Sequence, residues 1–538
     1  MKRQKRIGIF GWGLVAPKSR DINAFEANLE STGTWLAPFD GFGPSNFLTG
    51  TPEFELEAYR PWFDARFPPS RFGQFRDKMG PMVQYAVGSF IQALGQNEGM
   101  ERYLQSLGDS CHVYVGTGLG EITVQHQQSL NFERAKRVWD AFWAAPERCE
   151  AHRKHIEGDL DPAAPVDPAT LETGSEEWFD AKSSWNAYWA GRSEALREYL
   201  RQAAEIQSES VPPGAGTGKL NTIRQKLSKV RALNKQWGCP EEPWASVSPN
   251  ILWNIANIPA AQISMVGHIM GPAFAPIAAC ASFGIALRMG LDAIELGHAK
   301  AVVVGMTDPP PHPVIISAFY NANVVAADRE VSRPMTGLKG THVSGGSCVW
   351  IIGDAEEMLA QGFRPVGMEI VEVGTSSDAH HIITPSKDGP QIAMTRAMET
   401  VDKSEIWTWD MHATATPGDA TEVEHSLEML DPSVVFTARK GTFGHGMSVG
   451  GGWELTAQHL GMAKGHLFPI DLAPEEVHAD VAQHHANFVM KRGCDTKQLA
   501  GGKLSMGIGG VNSCVISRPW DQSWVKEHFR PAEPKTSE

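Results

Sequence analysis

Short apolar runs rich in β-branched residues alternate along this chain with longer stretches whose apolar positions recur every three or four residues. The runs at 7–10, 112–116, 301–305, 348–352, 367–373, 406–411, 433–437 and 514–517 predict strands. The stretches at 82–94, 285–296, 391–400 and 453–463 predict helices. Regular alternation of the two kinds predicts an α/β fold.

Residues 122–245 break that rhythm. They are polar, charged and rich in tryptophan: Trp139, Trp143, Trp178, Trp185, Trp189, Trp237 and Trp244. Breaks at 161–168 and 212–216 interrupt them. This pattern predicts a mainly helical insertion in the α/β core, with the tryptophans as packing anchors. Within it, Lys219, Arg224, Lys226, Lys229, Arg231 and Lys235 occur without an intervening acid, and Leu220, Ile223, Leu227 and Val230 recur at helical spacing. The expectation is an amphipathic helix whose basic face suits an acidic partner.

Composition narrows the picture. The chain has 538 residues, of which 42% are hydrophobic and 20% charged, as expected of a globular protein of several domains. A net charge of −14 argues against nonspecific nucleic-acid binding. Seven cysteines fall singly, which suits a reducing compartment and predicts a cytoplasmic protein. No run reaches the roughly 18–20 apolar residues of a membrane span. The basic cluster at 2–6 leads into a glycine-containing apolar run, read as a first buried strand rather than a secretory signal.

The candidate chemistry sits at strand-to-loop junctions. Cys280, in Pro-Ile-Ala-Ala-Cys-Ala-Ser-Phe-Gly, directly precedes a helix-like segment. A thiol at a helix N-terminus meets free N–H groups and the positive end of the dipole, which lowers its pKa. His412 ends a predicted strand and is followed by Thr414 and Thr416, whose alternating hydroxyls suit the amides of an extended ligand. Asp419 and Glu422 then stand ready to order the loop or orient an imidazole. His445 lies among glycines, five residues after Lys440 and nine before Glu454. A thiol, two imidazoles and a lysine in such settings point to acyl transfer through a thioester.

These residues resemble the β-ketoacyl synthases, condensing enzymes of the thiolase superfamily, in their elongating Cys-His-His form. The match runs through Ala279-Cys280-Ala281-Ser282, His412-Ala413-Thr414-Ala415-Thr416-Pro417, Lys440 with Gly444-His445, and Gly507-Ile508-Gly509-Gly510-Val511-Asn512. The resemblance implies a five-layer α-β-α-β-α arrangement of two similar halves, 1–361 and 362–519, with the insertion in the first and a polar tail at 520–538. It also implies decarboxylative Claisen condensation of a Cys280-bound acyl chain with a malonyl-type thioester carried on acyl carrier protein. Cys280 would be the nucleophile, and His412 and His445 would hold the extender. Lys440 would act electrostatically, Glu454 would support it, and the N–H groups of Cys280 and Ile508 would form an oxyanion hole. Thr414 and Thr416 would bind the pantetheine arm. Ile508, Met506 and Leu119 would line the gate and acyl pocket. No metal or redox cofactor is implied, and the expected assembly is a homodimer, with a heterodimer as the alternative.

Two departures from the family pattern stand out. Ile508 occupies a position usually held by phenylalanine, which predicts altered gating, and the insertion exceeds any usual loop. They predict an atypical substrate or partner. The competing readings are a thiolase-fold acyltransferase with another acceptor and a noncatalytic pocket-shaping subunit. His445 argues against a starter-unit synthase, and Cys280 argues against the noncatalytic subunit.

Overall fold

The computed structural model describes residues 5–210, 217–382 and 386–531, and the side chains at 217–219 are also left aside. The predicted break at 212–216, the Lys219 side chain, Lys2 to Gln4 of the basic cluster and the end of the tail lie outside the described residues. The chain divides into two compact units: Met1–Thr123 with Leu252–Glu538, and Val124–Ile251.

The first unit is built on eleven paired strands. In chain order they are β1 (Ile7–Val15), β2 (Cys111–Gly116), β3 (Ala273–Phe274), β4 (Ala301–Asp308), β5 (Gly346–Asp354), β6 (Glu369–Ser377), β7 (Ile406–Asp410), β8 (Val435–Thr437), β9 (Asn487–Phe488), β10 (Ala500–Gly507) and β11 (Val511–Arg518). Its main helices are α1 (Pro81–Leu94), α2 (Ile258–Gly267), α3 (Ser282–Glu295), α4 (Pro313–Asn321), α5 (Asp388–Ala397), α6 (Gly418–Met429) and α7 (Gly450–Lys464).

The strand order is β9-β8-β7-β10-β11-β6-β1-β5-β4-β2-β3. It contains one pattern twice. In β3-β2-β4-β5-β1, the first two pairings are parallel and the last two antiparallel. The series β8-β7-β10-β11-β6 repeats that pattern. The halves meet at a single pairing, Ile7 with Ile370.

Side-chain alternation decides how the layers stack. Val302, Val304 and Met306 of β4 and Cys348, Trp350 and Ile352 of β5 enter one core, whereas Ala301, Val303, Val349 and Ile351 enter another. A strand covered on both faces can be apolar throughout. The shared central core also takes Phe283, Leu287 and Leu291 of α3 and Trp453 and Leu455 of α7, so these two helices are packed between the half-sheets. Helix α1 covers the outer face of the first half and α5 that of the second. The result is the expected five layers.

Strand β10 is a finding that the sequence pattern does not anticipate. Its opening Ala-Gly-Gly-Lys reads as a loop. In the fold, a Cβ at Gly502 would stand 2.2 Å from the Trp409 ring, so glycine leaves room for that buried indole.

The helical unit holds the helix Ile122–Ala144 from Val124 onward, with Glu150–Ile156, Glu176–Ala190, Glu194–Ser208 and Thr217–Trp237. Trp139, Trp143, Trp185 and Trp189 are buried in its core with Tyr199 and Leu233, the anchoring role expected of them. In the basic helix, Leu220, Ile223 and Leu227 are exposed and Lys229 pairs with Glu209 at the helix surface. Among the described residues, no helix is long and apolar enough to cross a membrane.

Candidate active site

Cys280 stands in the turn that enters α3. The Ala278 N–H donates to Ser282 Oγ at 2.7 Å, and that hydroxyl donates to the Ala279 carbonyl at 2.6 Å. This staple holds Ala279 at φ +46°, a conformation that costs energy for a residue with a Cβ. Gly507, at the end of β10, passes close to the turn: a Cβ there would lie 2.6 Å from the Ala278 carbonyl oxygen. Glycine permits that approach, and the Ile508 backbone N–H reaches the Cys280 sulfur.

His445 is held by its main chain. Its N–H donates to the His342 carbonyl at 2.6 Å and its carbonyl accepts from the Ser344 N–H at 2.9 Å. The imidazole Nε2 lies 3.0 Å from Cys280 Sγ. The His412 ring stands almost perpendicular to it, with centroids 5.4 Å apart. One nitrogen of each ring and Cys280 Sγ lie within 4.8 Å of one another.

The His412 backbone is clamped from two directions. Glu422 accepts from the His412 N–H at 2.6 Å and from the Ala413 N–H at 2.8 Å. On the carbonyl side, the Lys440 ammonium donates to the His412 oxygen and, at 2.7 Å, to Glu454 Oε1. Lys503 bonds Glu454 Oε2 at 2.7 Å, Asp410 Oδ1 at 3.0 Å and the Met411 carbonyl at 3.0 Å. Asp419 accepts from the N–H groups of Met335, Thr414 and Ala415, so it shapes the loop and does not orient an imidazole.

Burial dominates the electrostatics. The Cys280 thiol is pushed up to about 11, against the opposing pull of Lys440 and the Ile508 N–H. This corrects the expectation of a thiol lowered by its place at a helix N-terminus: enclosure in the site outweighs it. Burial also holds His412 and His445 well below the usual imidazole range, and the ammonium groups of Lys440 and Lys503 add to the effect. The pair is therefore a thiol beside a neutral imidazole. Burial likewise raises Glu422 to about 7 and Asp419 to about 6.

A cavity of about 530 Å³ opens onto this cluster. Cys280, His412, His445, Thr414, Thr416, Met506 and Ile508 line it, with Phe319 and Val324 on the α4 side and Met394 and Ser426 from α5 and α6. The two threonine hydroxyls are 3.0 Å apart. Leu119 is a correction: it is absent from the lining and packs beside Phe39, Ile316, Val325 and Met447. Its N–H donates to Asp308 at 2.9 Å, which draws that loop toward β4 instead.

Sequence reasoning missed Asp308, Asp410 and Lys503. Asp308 also accepts from Thr117 Oγ1 and the Gly118 and Ser448 N–H groups, tying the 117–119 loop to the loop that follows His445. The available signal was a lone charge inside an otherwise apolar or small-residue segment. Cys280, His412 and His445 together also form a donor set of a kind that metals take. Two ammonium groups near the imidazoles oppose a cation there.

The model of the β-ketoacyl synthase N-terminal domain matches residues 190–356, and that of the C-terminal domain matches 368–471, together about half of the chain. The chain belongs to the β-ketoacyl synthase family. The chain is 31% identical over 239 residues to the mitochondrial 3-oxoacyl-[acyl-carrier-protein] synthase of Arabidopsis thaliana, covering 40% of this chain and 50% of that one. It is 25% identical over 329 residues to a Saccharomyces cerevisiae 3-oxoacyl-[acyl-carrier-protein] synthase homolog, covering 58% and 71%. A third relative, nodulation protein E of Rhizobium meliloti, is 25% identical over 217 residues, covering 39% and 53%. The alignments with these three thus span about half to seven-tenths of the relatives' length. Among solved structures, the ishigamide ketosynthase/chain length factor and a β-ketoacyl synthase from Burkholderia phymatum each superpose with TM-score 0.65 at 17% identity, covering 96% of this chain and all of theirs. At that identity the likeness establishes the fold alone: the chain has the fold of these ketosynthases.

Proposed function

We propose that this protein catalyses decarboxylative Claisen condensation between a Cys280-bound acyl chain and a malonyl-type thioester on acyl carrier protein, in fatty acid or polyketide biosynthesis. The observation that carries the reading is the 3.0 Å approach of His445 Nε2 to a cavity-facing thiol that also receives the Ile508 N–H.

In the first half-reaction, His445 Nε2 takes the thiol proton as Cys280 Sγ attacks the acyl thioester carbonyl. The N–H groups of Cys280 and Ile508 hold the tetrahedral oxyanion. The carbon–sulfur bond to the carrier's phosphopantetheine breaks, and its sulfur receives the proton from His445. In the second, the extender loses carbon dioxide, and the electron pair of the broken carbon–carbon bond becomes an enolate. His412 Nε2–H, and His445 once its ring proton has exchanged through solvent from Nδ1 to Nε2, hold the extender carbonyl as that charge develops. The enolate carbon attacks the Cys280 thioester, the new carbon–carbon bond forms, and the Cys280 thiolate leaves and takes a proton from solvent.

Thr414 and Thr416 line the cavity where the pantetheine amides would lie. Asp419 and Glu422 hold that loop, and Lys440 and Glu454 hold His412. Ile508 and Met506 border the acyl chain, and an isoleucine at the gate leaves more room than a phenyl ring. The partner is an acyl carrier protein. One precedent among the structural neighbours is a complex of a type II polyketide acyl carrier protein with its ketosynthase, AntDE with AntF. The open edge strand β3 exposes Phe274, with Met270 and Ile277 exposed beside it. We assign that edge to a second copy in a homodimer. The unpaired cysteines suit a cytoplasmic setting.

Intact-mass measurement after incubation with a panel of acyl-carrier thioesters tests the reading. A Cys280-dependent adduct, followed by a condensed product when malonyl carrier is added, is the expected result. Loading that persists in Cys280→Ala overturns it.

A further inference from the structure

We infer that Lys503, paired with Asp410, is a second positioning device for His412 in the condensation step; the inference rests on the condensing reading above. Lys503 is 1% exposed and is absent from the cavity lining, so it acts through other groups. Its ammonium forms ion pairs with Asp410 and Glu454 and donates to the Met411 carbonyl. Lys440 takes the neighbouring His412 carbonyl and the other oxygen of Glu454. Glu454 therefore divides its carboxylate between two ammonium groups, and those groups hold two successive carbonyls.

The arrangement extends on each side. Asp410 Oδ2 accepts from Thr437 Oγ1 at 2.5 Å, which fixes the carboxylate that fixes Lys503. On the opposite side Glu422 takes the His412 and Ala413 N–H groups. Four main-chain groups of the Met411–Ala413 segment are thus held by three charged side chains. A misplacement of about 1 Å at a reacting group can cost about 100-fold in rate, so such a clamp has a kinetic role.

Charge balance explains why the second lysine comes with a second acid. An isolated buried ion is costly by several kcal/mol, and a buried pair stands only when each charge is met. Lys440 and Lys503 are balanced by Glu454 and Asp410. Arg439, also buried, donates to the carbonyls of Phe468 and Pro469. Among the described residues, the remaining titratable groups about the cluster include Cys280, Asp308, Asp419, Glu422 and Cys514, the last a buried thiol near Lys503 on the neighbouring strand. Lys503 places a positive charge near both imidazoles and opposes their protonation.

The test uses Asp410→Asn/Lys503→Gln, which removes both charges together and so spares the fold an unpaired ion. Lys503→Arg serves as the conservative variant. Cys280 acylation is followed by intact mass, condensation by carbon dioxide release across pH, and the two imidazoles by NMR titration of histidine-labelled protein. The double variant should load Cys280 within about twofold of wild type and condense about tenfold more slowly. Its imidazole midpoints and the acidic limb of the condensation profile should move to higher pH, and Lys503→Arg should restore most of both. Equal losses in loading and condensation with unmoved imidazole midpoints overturn the inference, as does unimpaired condensation. If wild type neither loads nor condenses, the condensing reading fails, and the NMR titration still decides whether Lys503 governs the imidazoles.

Discussion

Glu422→Gln isolates one buried carboxyl whose ionisation is set by the fold. Glu422 is buried on α6, and both its oxygens accept backbone N–H groups. Burial raises its pKa to about 7, against about 4.3 for an unfolded glutamate. A carboxyl raised on folding contributes stability that is complete below the unfolded pKa and lost as pH rises through the folded one. Between pH 5 and pH 8 that loss is about 2.5 kcal/mol, at 1.36 kcal/mol per pKa unit. Glutamine does not titrate and offers a single acceptor. It leaves one N–H unpaired, at a pH-independent cost of about 1–3 kcal/mol. His412, His445 and Asp419 titrate in both proteins and cancel in the comparison. The variant should therefore fall furthest behind wild type at pH 5 and recover about 2.5 kcal/mol of that deficit by pH 8. For a unit of about 410 residues the unfolding entropy is about 0.9 kcal/mol/K, so the swing corresponds to about 3 °C in Tm. Scanning calorimetry of both proteins at the two pH values measures it. A Tm difference that stays constant to within about 1 °C would refute the reasoning, because Glu422 would then ionise as it does in the unfolded chain.

Two further perturbations follow from the site. In His445→Ala the thiol loses the imidazole 3.0 Å from it, and iodoacetamide alkylation of Cys280 should rise about tenfold per pH unit from pH 7 to about 10, tracking thiolate formation from a thiol near 11; a plateau below pH 9 would contradict the raised thiol. Asp308→Ala leaves the N–H groups of Leu119 and Ser448 without their acceptor, at about 1–3 kcal/mol each, and should lower the Tm by several degrees; a Tm unchanged to within about 1 °C would show that the two loops hold without it.

Strands such as β4 and β5 are legible in the sequence because burial on both faces demands an uninterrupted apolar run. Strand β10 is not, because its glycines answer to Trp409, which lies about ninety positions earlier in the chain. Thr414 and Thr416 were legible from alternation beside His412. Leu119 was misread because nothing local shows that Asp308 draws its backbone away from the cavity. Lys503 escaped notice for a similar reason: beside two glycines a lysine reads as a surface loop, and its partners Asp410 and Glu454 are far apart in sequence.

The amino-acid sequence by itself supplied the candidate reacting groups and the kind of fold that carries them: one thiol, two imidazoles and an apolar rhythm that imposes alternating strands and helices. Tertiary structure decided their protonation and their company. It buried Cys280 deeply enough to raise a thiol that its helix position alone would lower, and it set Glu454 between two lysines. Both outcomes depend on which distant segments exclude water together, and that is a property of the packed fold rather than of any local stretch of chain.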